Sequence, residues 1–376
     1  MPQLSHAKPH EIGLDADRLN RAYALLEEWT AGETPVVPGG AILVGSRGRV
    51  VEPRFFGRQS PAGSDPIRRD ACFLLASISK PITYMGAMLL VERGMLNLSD
   101  RVTRYLPEFA AHHKEETLVL HLFTHTSGMP DMLDDNLALR QQHAPLSRYM
   151  TGAIRETVPL FPAGTNLSYQ SMGTLVVAAI IEKLTNQPLA EFLRKEIFDP
   201  LELPSTRLGS RGLDRGRIVQ VQTPAYLSGG ESYDWNSQYW HELGTPWGGL
   251  FSTPEDFAVI CQMLLNAGQF DGRRIWSPAT VGRAVTNRLN DLPLLPESIR
   301  RTQPWGLGWR LNHRGTDDSW GDLLGDRVFG HSGACGTLVW IDPERDGYCI
   351  LFTSALREAA PWRLVHLSNI VASAFV

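Results

Sequence analysis

The stretch Phe73-Leu-Leu-Ala-Ser-Ile-Ser-Lys-Pro-Ile-Thr83 decides how the rest of the chain is read. An apolar run, Cys72 to Ala76, stops at Ser77; beyond it Ile82, Met85 and Leu89 recur at the spacing of one helix face. Pro81 is comfortable only in the first turn of a helix, so the helix must begin close to Ser77. At a helix start, residues three apart share a face, which lets the Lys80 amine reach the Ser77 hydroxyl. The unpaired N–H groups of that first turn favour developing negative charge. Desolvated in a cleft, Lys80 would lose part of its proton affinity and could serve as a base near neutral pH.

A serine followed three residues later by lysine is common by chance, and the chain holds a second instance, Ser5 with Lys8. That pair lies in an unpatterned, frayed terminus. The lysines are Lys8, Lys80, Lys114, Lys183 and Lys195, so any catalytic lysine is among them. Lys183 follows Glu182 on a solvated helix face and Lys114 falls in the polar stretch Ala-His-His-Lys-Glu-Glu; both are expected at the surface.

Working outward, Leu19, Ala22, Leu25 and Leu26 recur at helical spacing between Asp15 and Trp29, with Asp15 or Asp17 as cap. The run GGAILVGSRGRVVEPRFFG from Gly39 reads as a hairpin about a turn at Ser46 to Gly48. From Ser77 to Thr286 helical patterns and polar loops dominate. Then PWGLGWRLN, RVFGHSGACGTLVWID and GYCILFTSA are strand-like, and PWRLVHLSNIVASAF is a closing amphipathic helix. The predicted fold is of the α/β (α+β) class. It has an antiparallel sheet made from both ends of the chain, terminal helices on one face and a large, mainly helical insertion. The expected division is 1–76 plus 287–376 for the sheet lobe and 77–286 for the helical lobe, with the active site in the cleft between them.

Of 376 residues, 43% are hydrophobic, enough for a large core. With 36 basic against 40 acidic residues and no basic run, nucleic acid is not expected as a partner. No segment approaches the roughly 18 apolar residues of a membrane span, and MPQLSHAKPHEIGLDADRL lacks a leader pattern, so the expected setting is cytoplasmic, without a membrane partner. Cys72, Cys261, Cys335 and Cys349 fit no metal or redox spacing and are read as free thiols. His112, His113, His121 and His125 show no metal-ligand spacing and are read as a solvated face; within Thr-His-Thr-Ser-Gly-Met, His125 is expected to shape a turn near the cleft. The tryptophans Trp235, Trp240, Trp247, Trp305 and Trp309 suit either an apolar acyl pocket or core packing.

In order, FLLASISKPIT, LFTHTSGMPD, PAGTNLSYQSMG, IFDPLELPSTRLG, WGGLFSTPEDFA and FGHSGACGT form a set that resembles the serine β-lactamase and penicillin-binding superfamily. Class C β-lactamases, DD-peptidases and β-lactamase-like esterases are the nearest branches. The resemblance implies that Ser77 is the nucleophile and Lys80 its base, with Tyr169 carrying the proton beside them. Ser171 stands where the family usually has asparagine. His331-Ser332-Gly333 stands for Lys-Thr-Gly, with histidine replacing lysine. The backbone N–H groups of Ser77 and Ala334 would form the oxyanion hole.

Histidine is largely neutral at pH 7, so recognition of a β-lactam carboxylate is expected to weaken. Gly330-His331-Ser332-Gly333-Ala334 is no nucleophile elbow, since it lacks the last glycine and leads into a strand. Cys335 lies beside the oxyanion donor and is expected to be an inert buried thiol. The expected function is hydrolysis of small esters through a Ser77 acyl-enzyme, with a small ester or amide as substrate and no cofactor or metal. A β-lactamase or D-Ala-D-Ala carboxypeptidase is the alternative, and a non-catalytic binding module of the same fold the second.

Overall fold

The computed structural model describes residues 4–312 and 320–376; Met1 to Gln3, the first of the stretch lacking a leader pattern, lie outside them. In chain order the first strands are β1 (Gly39–Ser46), β2 (Arg49–Val50), β3 (Arg54–Gly57) and β4 (Phe73–Leu74). Next come β5 (Arg207–Leu208), β6 (Leu250–Ser252), β7 (Gln269–Phe270) and β8 (Arg273–Arg274). The last are β9 (Arg310–Leu311), β10 (Phe329–Ser332), β11 (Leu338–Asp342) and β12 (Gly347–Thr353).

The main sheet runs β2-β1-β12-β11-β10-β9, with β3 also paired to β1 and every pairing antiparallel. First and last strands meet at its centre, Gly40 opposite Thr353 through Ser46 opposite Gly347. The turn before β2 places Arg47 and Gly48 at positive φ, 51° and 74°, as a two-residue hairpin turn requires. Of the stretch expected to form the next strand, Pro304 to Asn312, only Arg310–Leu311 is extended in the ladder.

β1 is buried along its whole length because both faces are covered. Ile42 and Val44 pack with Leu19, Leu26, Leu367 and Val371 of the two terminal helices, Ala16–Thr30 and Trp362–Ser373. Ala41 and Leu43 face the other core, which takes in Phe257 and Ile260 of the helix Pro254–Leu265. The alternation of a strand thus divides one apolar run between two cores. Asp15 caps the first helix, accepting from the Asp17 and Arg18 N–H groups.

A three-stranded sheet, β4-β6-β5, joins the strand just before Ser77 to two strands from the mainly helical stretch 77–286. Two surface expectations fail there. Lys114 is 1% exposed, its ammonium donating to the Ile154 and Thr157 carbonyls and to the Thr157 hydroxyl. It thereby satisfies carbonyls at the end of the helix Leu146–Arg155, which lack partners within the helix. His121 and His125 are also buried. The His121 Nδ1 accepts from the Leu118 N–H, and burial holds its imidazole down at about 4. His112 and His113 are exposed as expected.

Candidate active site

Ser77 sits in a single 3-10 turn, Ala76–Ile78, that leads directly into the helix Ser79–Glu92. Pro81 falls in the first turn of that helix. Ala76 has φ of 48°, a left-handed conformation that costs a residue with a Cβ about 1 kcal/mol and turns the chain sharply at the nucleophile. The surroundings enforce it. On one side β4 pairs with β6, the Leu75 N–H donates to Leu250 O, and the Ser79 hydroxyl accepts from the Leu250 N–H while donating to Ala76 O. On the other, the Thr337 hydroxyl donates to Leu75 O at 2.9 Å and the Cys335 thiol to Leu74 O at 3.1 Å. A Cβ on Gly333 would lie 2.2 Å from the Thr337 hydroxyl and 2.6 Å from Leu75 O, so this close approach admits only glycine.

Lys80 is 1% exposed, and its ammonium donates to Ser77 Oγ at 3.0 Å and to the Trp247 carbonyl at 3.2 Å. Desolvation lowers it to about 8 against the opposing field of Asp131. Its Nζ lies 4.6 Å from the centre of the Tyr169 ring. Tyr169 keeps 36% of its surface exposed, on the wall of the cavity that Ser77 also lines. Desolvation raises the phenol well above its usual value, while a hydrogen bond with Ser77 and the fields of Arg357 and Arg310 oppose that rise.

The segment Thr124 to Met129 braces the tyrosine. His125, at φ 59°, accepts the Gln170 N–H on Nδ1 and the Ser168 N–H on its carbonyl, and its ring lies 4.7 Å from that of Tyr169. The expected turn is present, built on a buried histidine. Ser171 donates to Asp131 at 2.6 Å.

His331, on β10, is 3% exposed and stands 6.0 Å from the Tyr169 ring and 5.9 Å from Trp305. Its Nδ1 lies 2.7 Å from the Ser332 carbonyl. A carbonyl only accepts, so Nδ1 carries the proton and Nε2 presents a lone pair that has no partner among the described residues. Burial first, then the Lys80 charge, push its pKa well below the ordinary 6.5. The imidazole is therefore neutral at pH 7 on stronger grounds than its residue type alone. Among the described residues neither the Ser77 nor the Ala334 N–H donates to another backbone group, whereas the Ala334 carbonyl accepts from Arg357 N–H.

Ser77, Tyr169, Ser171 and the segment His331 to Ala334 line one cavity of about 680 Å³. Trp235, Trp240, Trp247 and Trp305 share its wall, whereas Trp309 packs in the core, 5.5 Å from Phe329. Asp131, Arg140, Arg310 and Arg357 line it too, and the sequence reading singled out none of them. Asp131 closes the quoted segment LFTHTSGMPD and could have been found there; nothing in the spacing marks Arg140. All four cysteines are buried free thiols. Among the described residues no group of metal-ligating side chains comes together and no helix is long and apolar enough to cross a membrane.

An antiparallel sheet closed by both chain ends, with a serine and a lysine on one helix turn facing a tyrosine, defines the class, and a family model agrees. Residues 29–371 match the Beta-lactamase family, so the chain belongs to that family. It is 26% identical over 344 residues to an N-acetylmuramyl-L-alanine amidase of Bacillus subtilis, covering 81% of this chain and 74% of the relative. It is 25% identical over 376 residues to a Salmonella enteritidis protein named as a D-alanyl-D-alanine carboxypeptidase, covering 91% and 84%. The solved structure of a family VIII carboxylesterase shares its fold with a TM-score of 0.73 at 18% identity, over 95% of this chain and 98% of that one. The chain is a hydrolase of the β-lactamase fold.

Proposed function

We propose that this protein hydrolyses small carboxylic esters through an acyl-enzyme on Ser77. The observation that carries the reading is the 3.0 Å hydrogen bond from the buried Lys80 to Oγ of Ser77, which lines the cavity. With a pKa near 8, a fraction of Lys80 is the free amine at pH 7, able to take the serine proton as Oγ attacks. The Ser77 and Ala334 N–H groups hold the oxyanion of the tetrahedral intermediate. Tyr169, whose ring centre lies 4.6 Å from the Lys80 ammonium, relays the serine proton: its hydroxyl protonates the leaving group and regains a proton from Lys80. Water then frees the acid by the reverse path. A neutral His331 supports esters over β-lactams, since no fixed charge stands where the related enzymes place a lysine.

Amide or peptide hydrolysis of the D-alanyl-D-alanine type is the second reading, favoured by the names of the two relatives. Intact-protein mass spectrometry after exposure to a fluorophosphonate, p-nitrophenyl acetate and a cephalosporin separates the readings, with Ser77→Ala as control. A fluorophosphonate adduct and ester turnover that vanish in Ser77→Ala, with little cephalosporin adduct, are expected. A persistent or rapidly cleared cephalosporin adduct would move the assignment to the second reading. Absence of any Ser77-dependent adduct would leave a binding module without catalysis.

A further inference from the structure

One charge in the cavity has no part in the hydrolytic steps. Arg140, from the short helix Asn136–Gln141, is 1% exposed and lines the cavity that holds Ser77. Its guanidinium stacks on Trp240, 3.5 Å from the ring centre. Nε and Nη1 are buried without a hydrogen-bond partner, and among the described residues no carboxylate pairs with it; Asp234 acts only through its field.

Among the described residues Arg140 alone has two guanidinium nitrogens buried without a partner, whereas Arg207, Arg288, Arg300 and Arg310 each leave only Nε so. Arg363 donates to the Ala360, Val36 and Leu356 carbonyls, and Arg288 pairs with Asp291. Arg310 and Arg357, on the same wall, also have interactions within the protein. A guanidinium stays charged under all physiological conditions, so leaving its donors buried and unpaired is costly unless a ligand supplies the acceptor.

We propose that Arg140 is the residue that recognises a carboxylate on the substrate: an ester or amide whose charged end lies over Trp240 while its carbonyl reaches Ser77. The inference rests on the hydrolase reading and names the substrate class within it. The planar fork of the guanidinium matches a carboxylate, and stacking on Trp240 fixes its plane in advance. Met132, Leu167 and Trp235 give the cavity apolar wall for the chain joining the two ends. With His331 neutral, the fold selects for charge from a helix that lies outside the family's motifs.

The test compares kcat/KM within two matched pairs. On the acyl side these are p-nitrophenyl hydrogen adipate and p-nitrophenyl hexanoate; on the leaving-group side, 4-acetoxybenzoate and phenyl acetate. The wild type is expected to favour the anionic member of one pair by about 10- to 100-fold, and Arg140→Gln to erase that ratio. Arg140→Lys, which keeps the charge but not the fork, should retain part of it. Ratios near one in both pairs for the wild type, or ratios untouched by either variant, would overturn the inference. Should Arg140→Gln fail to fold, the wild-type ratios and Arg140→Lys decide the question. Fluorophosphonate labelling of Ser77 separates the layers: labelling without charge preference sinks only the carboxylate site, whereas no labelling sinks the hydrolase reading beneath it.

Discussion

Lys80 and Lys114 occupy the same physical state in two regions of the molecule. Each is 1% exposed, each donates to backbone carbonyls, and desolvation lowers each to about 8. Only Lys80 also meets a hydroxyl that lines an open cavity, the Ser77 Oγ at 3.0 Å. Lys114 spends all its donors on the end of one helix, with the Phe109 ring 4.8 Å from its ammonium. A depressed lysine pKa therefore reports burial; function follows from what the freed amine can reach.

The largest expected contrast is in turnover. Lys80→Met removes the base and should lower kcat/KM for a p-nitrophenyl ester by about 100- to 10,000-fold. Lys114→Met should leave kcat/KM within about 3-fold, because the partners of its ammonium, Ile154, Thr157 and Phe109, do not line the cavity. Comparable losses in both variants would erase the distinction between the two lysines.

The pH profile sharpens it. Lys80 works as a base only when deprotonated, so kcat/KM should climb about tenfold per unit below pH 8 and level off above it. His331, pushed well below 6.5 by burial, stays neutral through this range, so His331→Gln should keep the same limb. A limb centred near 6.5 that disappears in His331→Gln would transfer the role of base to the histidine.

How much of this was legible depended on whether a contact is local. Ser77 and Lys80 are three residues apart on one helix start, so sequence spacing alone places them together. The order of motifs brought in Tyr169 and the His331–Ala334 turn. The terminal helices and a sheet shared by both chain ends followed from periodicity, whereas the pairing of first with last strand is a long-range contact that periodicity does not mark. Lys114 was misread because its burial is made by Ile154 and Thr157, some 40 positions away, while its sequence neighbours Glu115 and Glu116 are polar and exposed. Arg140 was invisible for the same reason: Trp240, on which it stacks, lies 100 positions downstream. The sequence Pro304 to Asn312 is apolar enough for a strand, yet Trp305 and Trp309 are used to wall the cavity and fill the core, leaving two residues for the ladder.

Stability separates the lysines by a smaller effect. Lys114→Met leaves the Ile154 and Thr157 carbonyls without their buried donor, which should lower unfolding free energy by about 1–3 kcal/mol at pH 7, read from the denaturant midpoint. The pH dependence of that difference has a definite sign. Folded Lys114 titrates near 8, whereas in the unfolded chain it titrates near its ordinary ~10.4. Between those values the unfolded state holds a proton that the folded state has released, so raising pH favours the folded wild type. Methionine has no such term. The other buried groups, the four thiols and the tyrosines, titrate alike in both proteins and cancel in the comparison. The gap between wild type and Lys114→Met should therefore widen by roughly 1 kcal/mol per unit from pH 8 to 10. A gap that stays constant would mean Lys114 is not desolvated, and the likeness between the two lysines would end at their burial.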